Sequence, residues 1–125
     1  MYELTVTGRF AAAHQLRNYK GKCENLHGHN WKVQATVTAR DLNEIGLGID
    51  FKDIKQALHD ILNKLDHLHL NDLPMFQTEN PSSEVIARWI FERLSEHLNS
   101  ERVQVVRVTT WESDDACATY YIREP

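Results

Sequence analysis

Residues 27–40 read HGHNWKVQATVTAR, and apolar side chains alternate with polar ones along this stretch. The apolar side chains of its second part occupy the odd positions Trp31, Val33, Ala35, Val37 and Ala39. Residues 2–13 alternate in the same way, with their apolar side chains at even positions. A period of two is typical of a strand that buries one face. The sequence therefore predicts two half-buried strands, at residues 2–13 and 27–40.

Two later segments have the three-to-four spacing of a buried helical stripe. The first covers residues 51–65, and Asp50 is its predicted N-cap. The second extends to about Leu98, with Asn80 as the predicted N-cap and Pro81 at the first helical position. Alternation then predicts two more strands, at residues 103–112 and 117–123, joined by a turn at residues 113–116.

The predicted order ββααββ indicates an α+β fold, with an antiparallel sheet and two helices on one of its faces. No repeat or linker divides the sequence, so we expect a single domain over residues 1–125. A small sheet of this kind has open edges, which predicts pairing with other copies of the chain.

Composition argues against several classes of function. Hydrophobic residues make up 42% of the chain and charged residues 26%, as in an ordinary globular protein. The net charge of −4 gives no overall attraction to nucleic acid or to an anionic membrane. The sequence has neither a long apolar run nor a secretory signal pattern at Met1. We therefore expect a cytoplasmic protein in which Cys23 and Cys117 are free thiols.

Histidine is the unusual component, because four of the seven histidines form two short clusters, His27/His29 and His67/His69. Antiparallel pairing of the first two strands brings His14 close to His27 and His29. Three imidazoles with an open fourth position are typical of catalytic zinc. Iron and nickel also accept imidazole ligands, and two histidines on a strand can simply be satisfied side chains.

Cys23 has three interpretations. It lies in a basic loop beside the predicted metal, and such surroundings favour a reactive thiolate that acts as base or nucleophile. Because it precedes His27 by four residues, it is also a candidate for the fourth ligand of a closed structural zinc site. The third interpretation is an ordinary loop thiol.

Three further residues are candidates for proton transfer or substrate binding. Asp66 and His67, a carboxylate and an imidazole, are residue types that can form a proton relay with Cys23. They can equally help to satisfy the free carbonyls at the end of the first helix. Glu112 lies at a strand end beside a tight turn. A carboxylate there can accept two hydrogen bonds from an amino-heterocycle, or it can be a solvated turn residue.

These residues belong to a longer series of motifs, namely Phe10-Ala-Ala-Ala-His14, Cys23-Glu-Asn-Leu-His27-Gly-His29-Asn-Trp31, Ile49-Asp-Phe51, Leu65-Asp-His67, Leu70-Asn-Asp72, Asn80-Pro-Ser-Ser-Glu84 and Trp111-Glu112. In this order the series resembles the 6-pyruvoyltetrahydropterin synthase family over nearly the whole chain. The spacing of three residues between Cys23 and His27 resembles that of the family's bacterial 6-carboxy-5,6,7,8-tetrahydropterin synthases, which serve queuosine and deazapurine biosynthesis. The animal pyruvoyl enzymes have a longer spacing.

The resemblance implies a role for seven residues: zinc on His14, His27 and His29, the general base at Cys23, its relay partners at Asp66 and His67, and the pterin anchor at Glu112. It implies the tunnelling fold (T-fold), in which ββααββ subunits close a barrel as trimers. Two trimers stack as a homohexamer, with active sites at the subunit interfaces. The implied substrate is 7,8-dihydroneopterin triphosphate, which becomes 6-carboxytetrahydropterin, acetaldehyde and triphosphate.

One segment departs from the expected pattern. Asp114 and Asp115 follow Glu112, and so acidic a turn is unexpected beside a triphosphate. The alternatives are a 6-pyruvoyl product, a hydroxymethyl pterin as in the folate branch, or a non-catalytic zinc-stabilised binding module in which Cys23 is the fourth ligand.

Overall fold

The computed structural model describes residues 1–122, in which five strands form one sheet against two helices. The strands are β1 (Tyr2–His14), β2 (His27–Ala39), β3 (Leu68–His69), β4 (Val103–Ser113) and β5 (Ala116–Tyr120). The helices are α1 (Phe51–Leu62) and α2 (Ser83–Leu98). The sheet order is β3-β1-β2-β4-β5, and every pair is antiparallel except β1 with β3.

Strands β1 and β2 pair over their whole length, from Tyr2 opposite Ala39 to His14 opposite His27. The even face of β1 and the odd face of β2 are the buried ones, as the alternation predicted. Both helices pack on this face, and the sheet and the helices share one apolar core. The predicted α+β arrangement is confirmed. The sheet has five strands instead of the predicted four, and the additional strand, β3, is only two residues long.

Helix α1 begins where the sequence predicted, because the Asp50 carboxylate accepts a hydrogen bond from the backbone N–H of Lys52 at 2.9 Å. It ends at Leu62, three residues before the predicted end. Tight turns continue the chain, with the Leu65 N–H bonded to the Leu62 carbonyl. Leu65 remains fully buried in this turn, which explains why helical periodicity extended beyond the helix itself.

Gly8 allows α1 to lie close to β1. A Cβ atom at Gly8 would come within 2.8 Å of Leu62 Cδ1 and 3.1 Å of Leu58 Cδ2. A larger residue at this position would therefore force the Leu58 and Leu62 side chains to shift.

The predicted start of α2 is wrong. Ser82 caps the helix, and its hydroxyl accepts a hydrogen bond from the Val85 N–H at 3.2 Å. The Asn80 side chain instead bonds to the backbone of Arg17, so it is not available as a cap. A local sequence pattern cannot indicate this partner, because it lies 63 residues away.

The segment between the helices contains more structure than the predicted loop. It forms β3 and two short 3₁₀ helices, Leu70–Asp72 and Pro74–Phe76. At the other end of the sheet, β5 stops at Tyr120, and the last predicted strand residue, Arg123, lies outside the described residues. No helix within residues 1–122 is long and apolar enough to span a membrane.

Candidate metal centre and active site

Three histidines meet at one end of the sheet, on the face that carries the helices. His14 is the last residue of β1, and His27, the first residue of β2, is its direct partner. His29 lies two residues further along β2 and therefore on the same face. The three ring centroids are 4.6, 4.8 and 5.3 Å apart. The antiparallel register alone brings these residues together.

Backbone carbonyls orient two of the three rings. His14 Nδ1 lies 2.7 Å from the Pro81 carbonyl oxygen, and His27 Nδ1 lies 2.8 Å from that of Asn25. A carbonyl oxygen can only accept, so each Nδ1 carries the hydrogen and donates it. In the neutral ring, each Nε2 then presents a lone pair.

These lone pairs converge. His14 Nε2 and His27 Nε2 are only 3.0 Å apart, and His29 Nε2 is buried with no neighbour in hydrogen-bond geometry, although the Glu112 carboxylate lies close to it. Burial is the largest cause of a lowered pKa at His29. The two neighbouring histidines also lower this pKa, whereas Glu112 opposes the shift. A neutral ring, ready to coordinate, is therefore favoured at His29.

Glu112 approaches the same point from β4. Its Oε1 atom lies 3.2 Å from His14 Nε2 and 3.1 Å from His29 Nε2. The four potential ligand atoms, from His14, His27, His29 and Glu112, all lie within 4.8 Å of one another. The sequence had assigned Glu112 to the substrate, and its position beside the imidazoles was not predicted.

Cys23 lies outside this group of four. It is exposed in the loop between β1 and β2. The potential ligand group within residues 1–122 includes the Glu112 carboxylate and not the Cys23 thiol. The same loop is attached at its start to the rest of the protein, since the Gln15 N–H donates to the Asn71 side chain at 2.9 Å.

Asp66 and His67 form a separate pair on the outer edge of β1. Asp66 Oδ1 accepts from the Ala11 N–H at 2.9 Å, and Asp66 Oδ2 lies 3.0 Å from His67 Nδ1. The hydrogen bond from Ala11 is the largest cause of the lowered pKa of Asp66, and His67 adds to it. His67 has a left-handed backbone (φ 61°), and its ring is 81% exposed. Such a backbone costs energy for a residue other than glycine, and it occurs preferentially at functional sites.

The structure does not bring this pair to the histidine site within one chain. Asp66 bonds to Ala11, three residues before His14, which corresponds to roughly 10 Å along the strand. Within residues 1–122, no hydrogen bond or ion pair joins Cys23 to Asp66 or His67. Cys23 and the Asp66–His67 pair therefore remain apart in the single subunit.

The sequence of the chain matches the family model for 6-pyruvoyl tetrahydropterin synthase over residues 3–123. The chain belongs to this family. Several relatives carry the 6-carboxy-5,6,7,8-tetrahydropterin synthase name, and two of them are compared with this chain. One, from Synechocystis sp., is 42% identical over 70% of this chain and 70% of its own length. The other, from Archaeoglobus fulgidus and named as putative, is 39% identical over 80% of this chain and 83% of its own length.

A solved structure agrees with the sequence comparison. The 6-pyruvoyl tetrahydropterin synthase of Caenorhabditis elegans superimposes with a TM-score of 0.83 at 26% identity, covering 98% of this chain and 96% of that one. The family resemblance and the subunit fold predicted for the T-fold are confirmed.

The donor set fits the metal that the resemblance implies. Two bare nitrogens 3.0 Å apart repel each other unless a cation or a proton lies between them. Three imidazole nitrogens and a carboxylate oxygen are ligands that zinc accepts, as do other first-row metals. The residues present are therefore compatible with a metal site, and their chemistry alone leaves the choice of metal open.

Sequence analysis missed the residues that support this site. The Arg17 guanidinium donates to the carbonyls of Phe76, Gln77 (3.2 Å) and Glu79 (2.9 Å). The Asn80 side chain accepts from the Arg17 N–H at 2.8 Å and donates to the Arg17 carbonyl at 2.9 Å. These bonds hold the segment before Pro81, whose carbonyl orients His14. The Asn80-Pro81 pair was a visible signal, but it was interpreted as a helix start.

Proposed function

We propose that this protein is a zinc-dependent 6-carboxy-5,6,7,8-tetrahydropterin synthase. It converts 7,8-dihydroneopterin triphosphate to 6-carboxytetrahydropterin, acetaldehyde and triphosphate, in the cytoplasm, as a step of queuosine (7-deazapurine) biosynthesis. The observation that carries the proposal is the convergence of three imidazole nitrogens at a site whose Glu112 side chain is 34% exposed. The names of the two relatives support the choice of product.

The histidines His14, His27 and His29 would hold the zinc. When bound, the metal acts as a Lewis acid toward the side-chain oxygens of the substrate and acidifies the adjacent C–H bond. The hydrogen bonds from His14 to Pro81 and from His27 to Asn25 support this role, because they fix the tautomer that ligation requires.

Cys23 would take the proton from the substrate carbon, because it is an exposed thiol in the loop that leads into His27. Asp66 and His67 would return a proton, since the carboxylate lies 3.0 Å from Nδ1 and can stabilise a ring that has gained one. Glu112 would hold the pterin ring through hydrogen bonds to its carboxylate.

We further propose that the working enzyme is a homohexamer made of two trimers. One edge of β1 is paired with β3 only at Ala12 and Ala13, and β5 has a neighbour on one side alone. Strand pairing between subunits would use these edges and close a barrel. The Asp66–His67 pair, with its exposed His67 ring, lies on the same edge of β1, so a neighbouring subunit would supply the missing catalytic partner.

The decisive experiment incubates the zinc-loaded protein with 7,8-dihydroneopterin triphosphate. Released acetaldehyde and the mass of the pterin product are measured together. Acetaldehyde with a carboxypterin is the expected result. A 6-pyruvoyl product without acetaldehyde would transfer the protein to the phosphate-eliminating branch, and a hydroxymethyl pterin would transfer it to the folate branch.

Absence of any reaction at full zinc occupancy would favour the non-catalytic binding module. In that case alkylation of Cys23 becomes informative, because a thiolate bound to zinc is protected until the metal is removed.

A further inference from the structure

Glu112 reaches the histidines because β4 is irregular in two places. The first is a register shift opposite Thr36/Val37, where β4 contains the extra residue Val106. The shift moves the buried positions of β4 from odd to even numbers, from Val103 and Val105 to Val108. Glu112 is therefore on the face of the sheet that carries the histidines.

The second irregularity lies at Glu112 itself. Strand β4 pairs with β5 at Trp111 opposite Cys117 and again at Ser113 opposite Ala116, so Glu112 is the extra residue between these pairs. An extra residue of this kind redirects its side chain, and such bulges are common beside active sites. Here the redirected carboxylate contacts two bare imidazole nitrogens at 3.1 and 3.2 Å.

We propose that Glu112 is the fourth protein ligand of the metal in the substrate-free protein. Its Oε1 atom belongs to the same compact group as the three Nε2 atoms, whereas Cys23, the other candidate for this position, does not. A carboxylate oxygen also supplies the negative charge that three neutral imidazoles lack.

This inference rests on the metal-binding part of the proposed function and not on the identity of the pterin. In this inference the Glu112 carboxylate binds the metal first and the pterin afterwards. A carboxylate bound through Oε1 has only Oε2 free to accept, so a pterin that donates to both oxygens displaces Oε1 and opens the metal position. A bound molecule without such donors would leave the metal closed by four protein ligands.

The test compares the whole protein with two variants that each remove one carboxylate charge from the same turn. Glu112→Gln keeps the size and shape of the side chain but removes the anionic ligand. Asp115→Asn is the matched control, because Asp115 is exposed and its side chain contacts none of the histidines. Zinc affinity is measured by competition with a chromophoric chelator, and the coordination geometry by the visible absorption of the cobalt(II)-loaded proteins.

For Glu112→Gln we expect zinc affinity to fall at least about tenfold and the cobalt spectrum to change, whereas Asp115→Asn matches the unmodified protein in both measurements. Equal affinity and equal spectra in all three proteins would overturn the inference and leave Glu112 with the substrate alone. Absence of metal binding by the unmodified protein would also overturn it. The expected metal results without acetaldehyde release would preserve this inference and contradict the proposed reaction.

Discussion

Two His-x-His segments lie against β1, and the protein holds them in opposite ways. The inner pair, His27 and His29, lies on the helix-covered face, where the His27 Nδ1 donates to a backbone carbonyl. The edge pair, His67 and His69, lies at the outer edge of β1, and its Nδ1 atoms are 3.0 and 3.4 Å from the carboxylates of Asp66 and Asp72. The same spacing in the sequence therefore leads to two different environments.

The partner of Nδ1 influences the protonation of each ring. A neutral carbonyl fixes the tautomer and leaves Nε2 as a lone pair for a metal. A carboxylate instead stabilises a ring that carries an added proton, which suits proton transfer. Carbonyl and carboxylate partners both occur at metal sites, so the clearer difference between the two pairs is that only the inner pair belongs to the potential ligand group found within residues 1–122.

Substituting one histidine of each pair in separate variants gives the largest expected effects on zinc affinity and turnover. His29→Ala removes a ligand, so we expect zinc affinity to fall by about 100-fold or more and turnover to be lost. His67→Asn should keep zinc at the unmodified affinity while kcat falls by about 10²-fold or more, because asparagine tolerates the left-handed backbone but cannot transfer the proton. Zinc loss in His67→Asn would show that the edge pair belongs to the metal site.

Cys23→Ala examines the residue that would connect the two pairs. We expect retained folding and zinc content with kcat lower by about 10²- to 10⁴-fold, because only the base is removed. Circular dichroism, metal analysis and the acetaldehyde assay provide the three measurements. A zinc-free Cys23→Ala protein would mean that the thiol is a ligand, and the assignment as base would then be wrong.

Arg17→Lys weakens the support of the inner pair without changing charge. The guanidinium reaches the carbonyls of Phe76, Gln77 and Glu79 from two separate nitrogens, whereas lysine has only one, so the Pro81 carbonyl is less well positioned for His14. We expect zinc affinity to fall by about tenfold, measured by chelator competition. Lys20→Arg, an exposed change in the same loop, is the control and should leave the affinity unchanged.

Asp66→Asn has the smallest expected effect, on stability at different pH. The pKa of Asp66 is lowered in the folded protein, so its ionised form stabilises the fold above the ordinary carboxyl pKa, near pH 4. This contribution disappears as the pH falls through the lowered pKa. Urea unfolding at several pH values should therefore show a constant difference between the two proteins above about pH 4 that vanishes in stronger acid. A difference that persists unchanged in acid would contradict this role of the charge.

Regular periodicity predicted the parts of the molecule that depend on neighbouring positions in the sequence. The alternation in β1 and β2 was enough to bring His14, His27 and His29 to one face. The Asp50 cap of α1 was equally local and was predicted correctly.

The remaining features depend on contacts that periodicity does not encode. Asn80 looked like a helix cap, but the backbone of Arg17 occupies its side chain. Glu112 was predicted to bind the substrate, but its position beside the histidines depends on extra residues in β4 that periodicity does not reveal.

The extra residue at Val106 makes the length of β4 as important as its composition. Deleting any one residue between the bulge and Glu112 would rotate the following side chains to the opposite face of the sheet, even if every remaining residue were unchanged. The loop between β1 and β2 has no such constraint, because it carries no alternating face. Over evolutionary time we therefore expect insertions and deletions to accumulate between Arg17 and Cys23 in that loop, while the number of residues from Val106 to Glu112 stays fixed.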